Sequence, residues 1–588
     1  MLRLFLALAS PLLCLAKLYE DVELLPTISF DFVICGGGTA GSVLANRLTE
    51  NANYSVLLLE AGPSNVDVLP SIVPFLGSTI TSNSPYSWNY TTTAQPGLNG
   101  RSIDYPRGHM LGGSSSINYM LYTRGSSDDW DNYASTTGDS GWSWSNVQKY
   151  FRKNELWSLP ADNHSTAGEY DPKVHSVSGV NSVTLPGYPQ PIDNMLLQTT
   201  KELPSEFPFN LDMNSGNPLG VGWAQSTIDS LGQRSSSATS YLGPKYIDRP
   251  NLHVLVHAQV SRLVQTAQSP ATFKAVEFKQ GNTTTLHIVT ARKEVILSAG
   301  SIGSPRILLS SGIGDKRALA ELGIASTVHL PDVGQNLADQ ATIGVYWEVN
   351  STDTIDTLTR NATLSAQVLD DWLDNRQGRF VESILGNFVG WSRLSLDNSV
   401  LRGRADPASG PKSPHYEILP LNGIGGLPLP PTGNFFNLVV ALLCPVSRGS
   451  VTLSSSDPFA PPLIDPGFLN DPLDLEMMRE GIKILLDFAA APTWRKYIIE
   501  RYQPFPNVTT DAAIEAYIRN SASTIFHPLG SNSMSAKDAE GGVVDPDLRV
   551  KGIPFLRVVD GSVLRESAGR QYTSSPNEAA DLIKEARA

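Results

Sequence analysis

The sequence predicts an α/β fold in which a doubly wound parallel sheet carries a second domain inserted in pieces. Near the N-terminus, the segment FDFVICGGGTAGSVLANRLTE passes from an apolar strand through three glycines into residues with helical spacing. The next segment, YSVLLLEAG, predicts a second buried strand that ends at Glu60. A strand, a glycine turn, a helix and a strand within about thirty residues make up the first half of a doubly wound sheet.

The glycines of this turn, Gly36, Gly38 and Gly41, have the spacing G-x-G-x-x-G. They suit a tight turn, a close approach of the backbone to a pyrophosphate, and close packing of helix on strand. Glu60 ends the second strand, where an acid can accept hydrogen bonds from a ribose. A purely structural turn is the alternative, but the strand, helix and acid in register favour a dinucleotide site. FAD and NAD both contain the adenosine-diphosphate half, so this pattern leaves the choice between them open.

Later segments predict the rest of the first domain. Strands are expected in the segments that begin at Leu252, Ala271 and Thr285, and a helix is expected from Ser304 with Pro305 at its first position. Elsewhere the glycine pattern disappears and Pro, Ser and aromatic residues increase, which indicates a second domain; the stretch 423–433 is expected to be a loop. The predicted boundaries are 28–156, 223–340 and 520–588 for the first domain, and 157–222 and 341–519 for the second.

Composition excludes several classes of protein. The 588 residues are 41% hydrophobic and 17% charged, which fits a large folded core and not a disordered chain or a fibre. With 44 basic and 57 acidic residues the net charge is -13, and no run of Lys or Arg occurs. This argues against binding of nucleic acid or anionic lipid by counterion release and favours small neutral or uncharged substrates.

The first sixteen residues predict a cleaved signal peptide and therefore a protein of the secretory pathway. Arg3 precedes an apolar stretch from Leu4 to Leu15, and small residues stand at Cys14 and Ala16. A membrane anchor is the alternative, but about twelve apolar residues are too short to span roughly 30 Å of hydrocarbon, and no later membrane span is expected. Glycosylation is permitted at the sequons of Asn53, Asn89, Asn163, Asn282, Asn350, Asn361 and Asn507.

The remaining cysteines, Cys35 and Cys444, lie in apolar strand-like runs and are expected to be buried free thiols. The chain shows neither a disulfide framework nor the paired Cys/His spacing of a metal site. No metal is therefore expected.

Three segments resemble the glucose-methanol-choline (GMC) oxidoreductase family. YPRGHMLGGSSSINYMLYTRG (105–125) and GSIGSPRILLSSGIG (300–314) are similar to its two signature motifs. IFHPLGSNSMS, followed by GGVVDPDLRVKGIPFLRVVDGSVL, resembles its catalytic C-terminus. With the glycine turn, the resemblance spans residues 28 to 564 in the family's order. The segments SWNYTTTAQPGLNGRSIDYPRG and DDWDNYASTTGDSGWSW are most similar to the secreted fungal aryl-alcohol oxidases.

The resemblance implies FAD, held by a Rossmann-like FAD-binding domain with an inserted α+β substrate domain built on a mixed sheet. Some members attach FAD through a histidine at the position of Ile117, so non-covalent FAD is expected here. By matching position, the resemblance implies which residues contact each part of FAD. The adenosine half would be held by Thr39, Ala40, Glu60 and Ala61, and adenine would be contacted by Val260. The flavin would lie along Asn118, Tyr119, Met120 and Leu121, and the ribityl and pyrophosphate region would lie near Asp560 and Gly561.

The resemblance also assigns catalytic residues. Oxidation of an alcohol by a flavin needs a base for the hydroxyl proton, and His527 matches the family's catalytic histidine, with Phe526 at an aromatic position of the substrate pocket. The family's second His or Asn, nine residues after the serine of its V-D-[AG]-S run, falls on Gln571, whose amide can donate and accept. A surface-loop role for Gln571 stays open. Gln340 stands where the family usually has a histidine after VGxNLxD, a departure that the sequence does not explain.

The predicted function is FAD-dependent oxidation of a primary aromatic or allylic alcohol to its aldehyde, with O2 or a quinone-like compound as electron acceptor. One alternative is a tailoring dehydrogenase of a fungal secondary-metabolite pathway. A second is a non-redox lyase on the same fold, in which FAD is a structural prop. The altered C-terminus also leaves open a flavin-binding protein that has lost catalysis.

Overall fold

The computed structural model describes residues 18–502 and 508–565. The predicted signal peptide and Gln571 lie outside the described residues. Two large sheets organise the fold, one of eight strands and one of seven. The first sheet contains, in spatial order, Leu18–Tyr19, Leu252–Leu255, Val56–Leu59, Ser29–Cys35, Leu286–Leu297, Ala275–Gln280 and Ala258–Val264, and Leu556–Val558 also pairs with Leu286–Leu297.

The first sheet is parallel through its centre. Ser29–Cys35 pairs in parallel with Val56–Leu59 on one side and with Leu286–Leu297 on the other, whereas the two strands beyond Leu286–Leu297 are antiparallel. Val56–Leu59 is buried throughout, as expected for a strand covered on both faces. The strands predicted in this part of the chain are therefore confirmed, and they form one doubly wound sheet.

The second sheet contains Ile498–Arg501, Ala341–Val349, Phe435–Leu442, Tyr416–Leu421, Phe388–Ser392 and Gly220–Trp223, and Ser523–Thr524 also pairs with Ala341–Val349. The predicted fold class is confirmed, with one correction of detail. The mixed character belongs to the first sheet, because the pairings described within the second sheet are all antiparallel. Helix Pro472–Ala489 covers this sheet with Met478, Ile482 and Leu485 fully buried.

The fold also contains twelve further α-helices and five small sheets within the described residues. The remaining helices are Thr39–Leu48, Leu69–Ile72, Ser127–Thr137, Trp144–Asn154, Asp193–Glu202, Ser237–Tyr241, Pro244–Ile247, Gly300–Ser310, Lys316–Glu321, Ile355–Arg360, Ala362–Asn375 and Asp511–Ser521. The small sheets pair Tyr90–Thr91 with Asp104–Tyr105, Glu155–Trp157 with Asn181–Val183, Ala267–Gln268 with Ala271–Thr272, Ile313–Gly314 with Val328–His329, and Gly449–Thr452 with Gln335–Leu337 and Leu463–Asp465. Within residues 18–502 and 508–565, none of the helices has the length and apolar character needed to cross a membrane.

Both remaining cysteines are free thiols, as predicted; Cys35 is buried and Cys444 is half-buried. The predicted loop over residues 423–433 also contains no helix or strand. The domain boundaries stay a prediction.

The predicted start of the helix near Ser304 is wrong. The helix spans Gly300–Ser310, which places Pro305 in its interior. A proline inside a helix leaves the carbonyl four residues earlier without its usual backbone donor. Here that carbonyl belongs to Ser301, and the Ser531 hydroxyl donates to it at 2.6 Å. A side chain 230 residues away thus replaces the missing hydrogen bond, which local sequence rules could not anticipate.

A fully buried ionic cluster supports the region around the second sheet. Arg124 donates to Glu155 at 2.5 Å, and the His175 ring lies between Glu155 at 2.9 Å and Asp212 at 2.7 Å. Burial alone would lower the pKa of His175, but hydrogen bonds with Asp212 and Glu155 and the charges of both carboxylates raise it. Burial would raise the pKa of Glu155, but His175 and Arg124 lower it to about 2. With His175 protonated, the two cations balance the two carboxylates.

We expect this cluster to make stability depend on pH. Because the pKa of His175 is raised by folding, its contribution is complete below the ordinary histidine value and is lost as pH rises through the folded value. His175→Gln should therefore lower the free energy of unfolding by about 3–5 kcal/mol in mildly acidic buffer, since it leaves a buried carboxylate unbalanced. The difference from the wild type should shrink in alkaline buffer.

Thermal unfolding followed by tryptophan fluorescence across the pH range would measure this difference. His164→Gln is the matched control, because His164 also lies between two carboxylates, Asp162 and Glu169, but is one-third exposed. Equal effects of the two substitutions at every pH would contradict the expectation.

Candidate active site

Two adjoining cavities contain the predicted catalytic, cofactor-binding and pocket residues that the structure describes, with one exception. The first, here called the glycine-turn cavity, leaves about 170 Å³ for the centre of a water-sized sphere, and the second, the His527 cavity, leaves about 370 Å³. Thr39, Arg107 and Ser114 line both cavities. Predicted residues in the glycine-turn cavity are Gly36, Gly38, Thr39, Ala40, Glu60, Ala61, Val260, Asp560 and Gly561. Those in the His527 cavity are Thr39, Ile117, Asn118, Tyr119, Met120, Leu121, Phe526 and His527.

Gly41 is the exception, because it does not line either cavity and packs beneath the turn. A Cβ at Gly41 would lie 1.9 Å from the Gly36 carbonyl oxygen, so the helix can approach the strand this closely only with glycine. A Cβ at Gly38 would have Gly113 Cα as its nearest neighbour, at 3.7 Å, and would point into open space. Position 36 also requires glycine, because its φ of +106° is a backbone conformation that other residues rarely adopt.

The glycine-turn cavity has the donors that a pyrophosphate requires. Helix Thr39–Leu48 begins at Gly38 without any side-chain cap. The first amides of such a helix have no acceptor within the helix, and the positive end of its dipole favours anions. The residues present therefore fit the diphosphate of a dinucleotide.

Glu60 holds the turn in place. Its carboxylate is buried and accepts from the Gly37 amide at 2.7 Å and from the Gly62 amide at 2.8 Å. Burial raises the pKa of Glu60 to about 7, although these backbone donors act in the opposite direction. Each carboxylate oxygen keeps a second acceptor position, so a ribose hydroxyl could still bind there.

Asp560 has the corresponding role on the far side of the cavity. Its Oδ2 accepts from the Gly300 amide at 2.9 Å and from the Ser304 hydroxyl at 2.6 Å, and its Oδ1 accepts from Ser562. Burial raises the pKa of this carboxyl against these hydrogen bonds. The carboxylate thus fixes the start of helix Gly300–Ser310. A Cβ at Gly300 would meet no atom within 4 Å, so this wall is also open to the cavity.

His527 lies in a network that the sequence predicted only in part. Its backbone amide donates to Asp339 Oδ1 at 2.9 Å, and its ring Nδ1 lies 2.8 Å from Gln340 Oε1. Burial, with the positive charge of Arg107, lowers the pKa of His527 to about 3. The ring is therefore neutral at physiological pH and can accept a proton.

Asp339 and Arg107 are functional candidates that the sequence reasoning missed. The buried Asp339 carboxylate accepts from Tyr105 and Thr524 hydroxyls at 2.6 Å each. Arg107 donates to the Phe526 carbonyl at 2.8 Å and lines both cavities. Arg107 stands inside the segment 105–125 that carried the resemblance, and Asp339 is the last residue of the VGxNLxD pattern before Gln340, so these motif positions were the available signal.

Two predicted site residues have strained backbones. Met120 has a φ of +64° and Phe526 a φ of +67°, which non-glycine residues rarely adopt. Such conformations persist where the surroundings impose them, and they are common in active sites. Both residues line the His527 cavity.

The second sheet contributes apolar side chains to one wall of the His527 cavity. Leu419 and Leu421 come from strand Tyr416–Leu421 and Val439 from strand Phe435–Leu442. The same sheet also contributes polar side chains, namely Thr342, Tyr346, Asn437, Ser523 and Thr524; burial raises the pKa of Tyr346 to about 12. The Ile117 side chain packs with Val68, Ile80 and Met110 and contains no nucleophilic atom.

A glycine-turn fold that joins a dinucleotide cavity to a histidine-containing cavity defines a dinucleotide-dependent oxidoreductase. The family model described as GMC oxidoreductase matches residues 30–342, and a second model of that description matches residues 445–576. The chain belongs to the GMC oxidoreductase family, and FAD is the cofactor that this membership supports.

Individual relatives agree with this membership. The chain is 40% identical to Dehydrogenase eriK of Hericium erinaceus, over 99% of this chain and 98% of the relative. It is 41% identical to Pyranose dehydrogenase 3 of Leucoagaricus meleagris, over 93% and 91%. A formate oxidase of Aspergillus oryzae, studied for FAD modification, aligns with a TM-score of 0.85 at 29% identity, over 95% and 98%. A fungal aryl-alcohol oxidase aligns with a TM-score of 0.81 at 25% identity, over 95% and 100%.

Substitutions at two glycines should separate cofactor binding from folding. Gly38→Val should leave the melting temperature of the apoprotein nearly unchanged, because the side chain would enter open space, but should reduce the flavin content of the purified protein. Gly41→Ala should lower the melting temperature, because its Cβ would collide with the Gly36 carbonyl. The ratio of flavin to protein absorbance and thermal unfolding would measure both effects. Full flavin content in Gly38→Val would contradict the placement of the pyrophosphate.

Proposed function

We propose that this protein oxidises a primary aromatic or allylic alcohol to the aldehyde, with His527 as the base. The observation that carries the proposal is the neutral imidazole of His527 in a largely apolar cavity that adjoins the glycine-turn cavity. Bound FAD supplies the acceptor, at flavin N5, for the hydride that leaves the alcohol carbon. The chain itself supplies the proton acceptor, the orientation of the alcohol and the exclusion of water.

The protein residues divide these tasks. Thr39, Glu60 and Asp560 would hold the nucleotide, and residues 118–121 would lie along the flavin. Phe526 would shape the pocket beside the base. Gln571 would orient the substrate oxygen as a second catalytic residue. Because the Ile117 side chain offers no nucleophile, the FAD would be bound without a covalent link, and acid precipitation should release all of the flavin into the supernatant.

The apolar wall favours an apolar alcohol over a sugar. A polyhydroxylated substrate would leave hydroxyl groups unpaired against Leu419, Leu421 and Val439, at a cost of about 1–3 kcal/mol for each buried group. These three side chains therefore disfavour a pyranose as the substrate of this chain. A tailoring dehydrogenase of a fungal secondary-metabolite pathway is the second candidate, and the similarity to Dehydrogenase eriK supports the dehydrogenase part of it.

The electron acceptor is proposed to be O2 or a quinone-like compound. Similarity to dehydrogenases supports the latter, and similarity to an aryl-alcohol oxidase supports the former. Anaerobic reduction of the flavin followed by admission of air would distinguish them. A lyase would turn over its substrate without changing the flavin spectrum.

We also propose that residues 1–16 direct secretion, which N-terminal sequencing of the secreted protein would test.

His527→Ala should slow reduction of the flavin by about 10²- to 10⁴-fold, because the alcohol would lose its general base. Anaerobic stopped-flow absorbance with benzylic and allylic alcohols would measure the rate, and flavin content should stay unchanged. His164→Ala, at an exposed ion pair, is the control. A wild-type rate in His527→Ala would overturn the assigned role.

Gln571→Ala should slow the same step by roughly tenfold to a thousandfold, on the scale of a lost oxyanion-type donor. Steady-state kinetics with the same alcohols would measure it. If kcat and KM both match the wild type, the C-terminal segment carries no chemistry at Gln571.

A further inference from the structure

Gln340 is held firmly beside His527. It is 2% exposed and immediately precedes strand Ala341–Val349. Its backbone amide donates to Asp339 Oδ1 at 2.7 Å, and its carbonyl accepts from the Ile525 amide at 3.1 Å. The residue is thereby fixed to both the acid that binds the His527 backbone and the segment that carries His527.

Only one orientation of the Gln340 side-chain amide satisfies both of its hydrogen-bond partners. Its Nε2 lies 3.1 Å from the Leu443 carbonyl oxygen, which can only accept, so the amide group must donate there. Oε1 then faces His527 Nδ1 at 2.8 Å. The reversed amide would place two acceptors together at Leu443. The orientation therefore follows from the hydrogen-bond network.

The orientation of the amide decides which ring nitrogen of His527 carries the proton. Oε1 can only accept, so Nδ1 must donate, and in a neutral imidazole the other nitrogen is then an acceptor. Among the described residues, none forms a hydrogen bond with Nε2. Nε2 is thus the ring nitrogen with a free lone pair.

We propose that Gln340 is a positioning residue that selects the Nδ1–H tautomer of His527 and leaves Nε2 as the acceptor of the alcohol proton. This inference rests on the proposed function. In the step it supports, the alcohol O–H bond breaks and an Nε2–H bond forms, while the hydride leaves the carbon for the bound cofactor. The ring becomes a cation whose Nδ1–H still donates to Gln340.

An uncharged acceptor suits this task. A carboxylate at the same place would also fix the tautomer, but its charge would stabilise the imidazolium and raise the pKa of the base. The amide orients the ring without that charge. In the opposite tautomer, Nε2 would present an N–H group to the alcohol and could not accept its proton.

The tautomer can be observed directly in the FAD-loaded protein labelled with ¹⁵N-histidine. Long-range ¹H–¹⁵N spectra distinguish a protonated from an unprotonated ring nitrogen, and the His527 signals are those missing from His527→Ala. We expect a protonated Nδ1 and an unprotonated Nε2 in the wild type. Gln340→Leu should lose this pattern and slow flavin reduction by roughly tenfold to a hundredfold, the usual range for a lost orienting partner.

Two further variants make the test specific. Gln190→Leu removes another buried amide, one that bonds Asn387 at 3.0 Å, and should leave the His527 signals unchanged. Gln340→Glu keeps an acceptor for Nδ1 and should keep the tautomer, while the acidic limb of the pH profile of kcat/KM, where the base becomes protonated, moves to higher pH. If Gln340→Leu does not fold, Gln340→Glu still tests the proposal through its pH profile.

The outcomes separate this inference from the proposed function. Unchanged His527 signals in Gln340→Leu, or an unchanged pH profile in Gln340→Glu, would overturn the role of Gln340. A changed tautomer in Gln340→Leu with a wild-type rate of flavin reduction would support the tautomer assignment and overturn His527 as the base.

Discussion

Asp339 is buried where three segments far apart in the sequence meet, and its carboxylate accepts four hydrogen bonds. The donors are the hydroxyls of Tyr105 and Thr524 and the backbone amides of Gln340 and His527. A buried acid of this kind is costly unless it is fully hydrogen-bonded, so the three segments can adopt only the arrangement that supplies its donors. The backbone of His527 is therefore positioned by the hydrogen bonds that the buried Asp339 carboxylate requires.

The same principle shapes the walls of the glycine-turn cavity. Glu60 binds the amides of the turn, and Asp560 binds the amide that starts helix Gly300–Ser310. In each case an acid has been buried to fix backbone that would otherwise be free to move. Fixed donors and acceptors need little reorganisation when a cofactor and substrate bind, which is the main advantage of a preformed active site.

The sequence predicted those features whose cause is local. The glycine turn with its flanking strands and helix follows from spacing within a short segment, whereas His527 was assigned by the resemblance of its segment to the family. The predicted start of the helix at Ser304 was wrong. The Ser531 hydroxyl replaces the hydrogen bond that Pro305 cannot make, and it lies 230 residues from its acceptor, the Ser301 carbonyl. The contacts of Gln340 are equally remote, 103 residues to Leu443 and 187 to His527. A single sequence carries no signal for such pairs, and so it marked Gln340 only as a departure.

Strand Ala341–Val349 begins immediately after Gln340 and carries Ile343 and Tyr346 into the wall of the His527 cavity. One strand therefore joins the residue that orients the His527 ring to the wall of the His527 cavity. Substitutions on this strand are expected to be epistatic with changes at Gln340, since a shift in one moves the other. Leu419 and Leu421 lie on a strand that makes none of the hydrogen bonds holding Gln340. Under the proposed function, substitutions there would alter the accepted alcohol without disturbing the hydrogen bonds that orient His527.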